Sequence, residues 1–134
     1  MSKTTILDNE FATLWYHPEQ KIVHHKWHKY IFGQHFRDVL SKGLELFEEN
    51  GCQKWLSDDR NNPAFHPDDQ EWGVTIWTPR VIAAGWKYWA LVLPEKVLGE
   101  RSMKRLADDM RGFGVEVYLC NDSDQGLKWL KSQG

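Results

Sequence analysis

The chain has 134 residues, 41% of them hydrophobic and 27% charged, with a net charge of −2. That size suits one compact domain with its own core, and that charge gives no whole-molecule field drawing the protein to nucleic acid or an anionic membrane. Cys52 and Cys120 have no metal-like spacing and form no disulfide framework, no run approaches the roughly 20 apolar residues of a membrane span, and the first ten residues lack the apolar centre of a signal peptide, so the expected location is cytoplasmic.

Residues 1–10 read as a tail ahead of a single domain over 11–134. Phe11–His17, rich in aromatic and β-branched residues, predicts a strand. Pro18–Lys21 predicts a turn, and Ile22–His28 a second strand closing a hairpin. Phe32–Asn50 is the clearest helix, with Phe36, Val39, Leu40, Leu44 and Phe47 on one stripe and Gly51 suited to the left-handed position after it. Gln53–Asp58 predicts a short strand. His66-Pro67-Asp68-Asp69 predicts a helix start, with Pro67 at the first helical position and both aspartates near the positive end. Thr78-Pro79 restarts a short helical piece that Gly85 closes. Trp86–Leu93 is strand-like and ends at Pro94. A helix to about Arg111 carries Met103, Leu106, Ala107 and Met110 on one face. Gly112 and Gly114 bracket the turn into a last strand, Val115–Cys120, and Asp122–Gln125 has the pattern of a helix cap before Leu127 and Leu130.

The order ββαβαβαβα predicts an α/β fold: a mixed five-stranded sheet with a leading hairpin and helices mainly on one face. That order, with the segments "KWLSDDR", "PDDQEW" and "TPRVIAAGWKYWALVLP", resembles the bacterial STAS/SpoIIAA-like family, related in fold to anti-sigma-factor antagonists and more distantly to CRAL-TRIO lipid carriers. The likeness spans about residues 11–132. It implies a cytoplasmic, non-enzymatic regulatory or protein-interaction domain. In anti-sigma-factor antagonists a serine just after the third strand is phosphorylated. Here that place reads Asp58-Asp59-Arg60-Asn61-Asn62, and Ser57 precedes it within the strand, so the switch serine is missing.

Asp58, Asp59 and Arg60 stand at a strand end, where open α/β sheets bind ligands. They form a candidate regulatory or ligand loop, with Arg80 expected to reach back to one of the aspartates. Adjacent residues at a strand end face opposite ways, so the two carboxylates need not converge. Arg60 can pair with one of them, and Asn61-Asn62-Pro63 is good turn chemistry. Asp68 and Asp69 are explained by the helix start alone.

The eight tryptophans are the compositional anomaly. Strand alternation places aromatics on both sheet faces. Trp15, Trp27, Tyr88 and Trp89 are the candidate interaction surface, for a homodimer or an unidentified protein partner. The competing reading is that these rings fill the core. Trp72, Trp77, Arg80, Trp86 and Lys87 form a further cluster. Base stacking on such a face lacks a basic surround, so no nucleic acid is expected. The histidines carry no HExxH or comparable metal spacing, and a site from His24 and His28 is the weaker reading; no metal and no cofactor are expected. No nucleophile elbow or phosphate loop is present, and no catalytic residue is assigned. The alternatives to a partner-binding domain are a carrier or sensor of a small apolar ligand and a small hydrolase using Asp58 and Asp59. An apolar carrier requires a cavity of roughly 300 Å3 or more.

Overall fold

Six strands, β1 (Thr4–Asp8), β2 (Ala12–His17), β3 (Ile22–Trp27), β4 (Lys54–Asp58), β5 (Tyr88–Val92) and β6 (Glu116–Cys120), form one sheet in chain order in the computed structural model. It describes residues 3–62 and 64–134, apart from the side chains of residues 97 and 98. The turn expected over Asn61-Asn62-Pro63 therefore falls partly outside the described residues. The first three strands run antiparallel and the last four parallel, so the α/β class and the mixed sheet are as expected.

The strand count is corrected from five to six. The segment read as a tail pairs with β2, Thr5 opposite Trp15 and Leu7 opposite Leu14. Its Thr4-Thr-Ile-Leu run is short but has the β-branched character of an edge strand. Asn9 shapes the link to β2, its side-chain oxygen accepting from the backbone N–H groups of Phe11 and Ala12.

Helix α1 (Gln34–Asn50) buries the whole expected stripe, and Gly51 ends it at φ 65°. α2 (Pro67–Trp72) runs through a π-helical turn, Gly73–Trp77, into α3 (Thr78–Ala83). Within that turn Thr78 N–H donates to Gly73 O, five residues back, and Pro79 has no N–H to give. What the sequence suggested as a fresh start at Thr78-Pro79 is a change of ladder register inside one continuous helix. α4 (Val97–Gly112) leads to β6, and α5 (Ser123–Lys131) follows it.

Because β3 to β6 are laid down in sequence order, right-handed crossovers put α1, α2–α3 and α4 on the same face. The core there gathers Val23, Trp27, Phe36, Phe47, Trp55, Trp89 and Leu91. α5 has no crossover to make and packs on the other face against β4, β5 and β6, over Ile22, Leu56, Ala90 and Val92. Asp122 caps α5 by accepting from Gln125 N–H at 2.9 Å. No helix among the described residues is long and apolar enough to cross a membrane.

Candidate ligand-binding cavity

Strand alternation sends His25 and Trp27 of β3, and Trp55 and Ser57 of β4, to the face covered by α1 to α4. The parallel register sets His25 beside Ser57 and Trp55 beside Trp89. Asp59, one residue past β4, keeps this alternation because its N–H still donates to Val92 O at 3.1 Å. These side chains floor a cavity of about 250 Å3. Phe36 and Leu40 of α1 form one side, and the mouth lies between the α2–α3 helix (Gln70, Val74) and α4 (Ser102, Leu106). Of the eight tryptophans, Trp27, Trp55, Trp77, Trp86 and Trp89 line it. Their rings meet edge to face, with Trp55 and Trp77 centroids 5.3 Å apart at 87° and Trp86 and Trp89 5.2 Å apart at 61°.

The polar groups at the floor are fixed. Trp55 Nε1–H donates to His25 Nδ1 at 2.9 Å, so that nitrogen carries a lone pair and the imidazole hydrogen sits on Nε2. His25 Nε2–H then donates to Asp59 Oδ1, also at 2.9 Å. Trp89 Nε1–H donates to Ser57 Oγ at 2.8 Å, and Trp77 Nε1–H to Leu40 O at 2.8 Å. Trp27 and Trp86 have buried N–H groups with no hydrogen-bond partner among the described residues. Asp59 is 2% exposed, and burial raises its pKa. The His25 hydrogen bond and the nearby Trp27 N–H oppose that rise, while Asp58 adds to it.

Asp58 belongs to the opposite face. Arg60 grips it with two bonds, Nε to Oδ1 at 3.2 Å and Nη2 to Oδ2 at 3.0 Å, and Ser123 Oγ at the start of α5 donates to Oδ2 at 2.8 Å. Burial pushes its pKa up, but these bonds outweigh burial and leave it below the ordinary carboxylate range. The expected loop therefore splits. Asp58 and Arg60 clamp α5 to the sheet, Asp59 floors the cavity, and Arg80 is corrected: it reaches Glu48 on α1 at 3.1 Å, at the surface.

The four aromatics expected at an interaction surface are not together on an open face. Trp27 and Trp89 are in the cavity wall, and Tyr88 is buried under α5 beside Trp129. Trp15 alone is partly open, against His24 with Lys3 Nζ 4.3 Å over its ring. The sheet face that alternation left open is covered over its β4–β6 half by α5, which accounts for Tyr88. Asp69 also does more than favour a helix terminus: it is buried, accepting from Gly33 N–H at 2.8 Å and Arg37 Nε at 3.1 Å, whereas Asp68 is exposed. The cap of α2 is His66, whose Nδ1 accepts from Asp68 N–H.

Nucleophilic chemistry does not fit this floor. Ser57, His25 and Asp59 resemble a triad in composition, but both imidazole nitrogens are engaged, so His25 has no lone pair with which to take a proton from Ser57. Burial raises the thiol pKa of Cys52 and takes that of Cys120 up to about 11. His24 and His28 do not converge: His24 meets His17 at 3.2 Å and His28 meets Thr13 at 2.8 Å. Burial takes His17 down to about 4 and His24 to about 2. Sequence reasoning did not single out His25, Trp55 and Ser57 as site residues. The signal was the shared parity of His25, Trp27, Ser57 and Asp59, which becomes a cluster only once β3 and β4 are known to be neighbours. Comparison with known proteins returns no matching family model, curated protein or solved structure. The STAS/SpoIIAA likeness thus has no support beyond the segments that suggested it.

Proposed function

We propose that this domain binds a small organic molecule in the cavity between sheet and helices, as a carrier or sensor that leaves its ligand chemically unchanged. The observation that carries the reading is a tryptophan-walled space of about 250 Å3 with a buried carboxylate at its floor. It falls short of the roughly 300 Å3 set for an apolar carrier. At roughly 30 Å3 for each displaced water, it suits a ligand of about eight to ten non-hydrogen atoms rather than a lipid chain. The engaged nitrogens of His25 favour binding over hydrolysis by Asp59. Ser57 is buried and held by Trp89, which disfavours it as a phosphorylation site.

A protein-partner reading, a homodimer included, draws support from a different surface than the sequence suggested. Val74, Ile76 and Phe113 are exposed, and Val74 and Phe113 line a groove next to the cavity mouth. The small-molecule reading is tested by titrating benzyl alcohol and following the indole N–H signals of Trp55 and Trp89 by NMR. Saturable shifts in the millimolar range are expected for so small a probe, and Ser102→Trp at the exposed mouth abolishes them. Absence of saturable shifts in the wild-type protein overturns the reading.

A further inference from the structure

We propose that the cavity selects a small organic cation, a primary or alkylated ammonium whose charged head meets Asp59 and whose body lies against the tryptophan rings. This inference rests on the cavity reading above and specifies its ligand. Asp59 is a buried carboxylate without a counter-charge. Its ion-pair partner among the described residues is His25, and His25 cannot supply a positive charge in this geometry. A proton added at Nδ1 would point straight at the Trp55 N–H, which that nitrogen accepts at 2.9 Å. The neighbouring cations are committed elsewhere: Arg60 to Asp58 on the far face and Arg37 to Asp69. Arg105, at the mouth, forms no ion pair with Asp59.

A buried carboxylate left so is costly and is relieved by protonation or by an arriving cation. Only one of its oxygens is bound by His25, leaving acceptor capacity toward the cavity. Trp27 N–H, without a hydrogen-bond partner among the described residues, favours the charged form of Asp59. The walls supply the second half of the recognition. Indole faces carry negative electrostatic potential, and cations gain most over them when water is excluded. Of the charged side chains lining the cavity among the described residues, Asp69 is already paired with Arg37, which leaves the carboxylates of Asp59 and Asp109 against the guanidinium of Arg105.

The test compares three probes of one ring and nearly one size at neutral pH: benzylamine as its ammonium ion, benzyl alcohol, and benzoate. Benzylammonium is expected to bind about tenfold or more tighter than benzyl alcohol. Asp59→Asn is expected to remove that advantage while benzyl alcohol still binds, which also shows that the variant is folded. The wild-type comparison decides even without the variant. Equal affinity for the amine and the alcohol overturns the cation inference and leaves the cavity reading standing. Preference for benzoate overturns it as well and assigns the selectivity to Arg105. Should none of the three bind, both readings fall.

Discussion

The carboxylates of Asp58 and Asp59, one peptide bond apart, face opposite sides of the sheet and meet opposite electrostatic conditions. Asp58 lies between Arg60 and Ser123, whereas Asp59 is bound by the neutral imidazole of His25 and has no cationic side chain paired with it among the described residues. Their pKa values move in opposite directions from the same reference, down for Asp58 and up for Asp59. Asp58 therefore contributes stability that is present above the ordinary carboxyl pKa and lost as pH falls through its lowered value. Asp59 contributes stability that is complete below the ordinary value and lost as pH rises through its raised one. Asp58→Ala is expected to cost about 2–3 kcal/mol at neutral pH. Asp59→Asn keeps an acceptor for His25 and is expected to be neutral or stabilising there. Urea denaturation of both variants across pH checks the pair, and a similar loss from each would contradict the opposite environments.

Trp55 fixes the state of His25. In the wild-type protein, 15N shifts of the imidazole are expected to report the Nε2–H tautomer. Trp55→Phe removes the donor at Nδ1, and the fixed tautomer should give way to a mixture, with a stability loss of about 1–3 kcal/mol from the vacated space and lost bond. An unchanged tautomer in the variant would mean that Asp59 alone orients the ring.

Gly43 is required by the same tryptophan. A Cβ there would lie 2.9 Å from Trp55 Cζ2 and Cζ3 and nearer still to Cη2. Gly43→Ala is expected to cost more than about 1 kcal/mol despite the better helix propensity of alanine, and to weaken probe binding by displacing the ring. Gly112→Ala is the contrast, since nothing lies within 4 Å of its added Cβ. It is expected to be stabilising by about 0.4–1 kcal/mol. Thermal unfolding of the two variants reads both signs.

Asp69 and Asp68 look equivalent in sequence and are not. Asp69→Ala breaks the bonds to Gly33 and Arg37 and leaves the half-buried Gly33 N–H without its acceptor, for an expected loss of about 1–2 kcal/mol. Asp68→Ala is expected to change stability by only a few tenths of a kcal/mol, because that side chain is exposed. Chemical denaturation separates these outcomes directly.

Much of the fold was legible because local rules and tertiary packing agree. The α1 stripe and Gly51, Pro67 at the head of α2, and Asp122 before α5 all act where the sequence pattern places them. The misses have a common physical origin in contacts between distant segments. Thr4–Asp8 is a strand only because β2 offers it an edge, and Tyr88 is covered only because α5 folds back over β5. Asp59 looked like half of an acidic pair until the register brought His25 beside it, 34 positions away in the chain. Arg80 does not reach back to the aspartates because α3 packs against α1, which sets its guanidinium beside Glu48.

The π turn at Gly73–Trp77 lets one helix engage α1 at two places: Asp69 before the turn holds Gly33 and Arg37, and Trp77 at its end holds Leu40 O. An unbroken α-helix advances about 100° per residue, so removing one residue between these anchors swings one of them roughly that far off its target. Exchanging the side chain of exposed Val74 or Ile76 leaves both anchors in phase. The span between Asp69 and Trp77 is therefore a spacer of fixed length: Trp72 within it is held against Phe36 and Arg37, while its exposed positions can change side chain but not number.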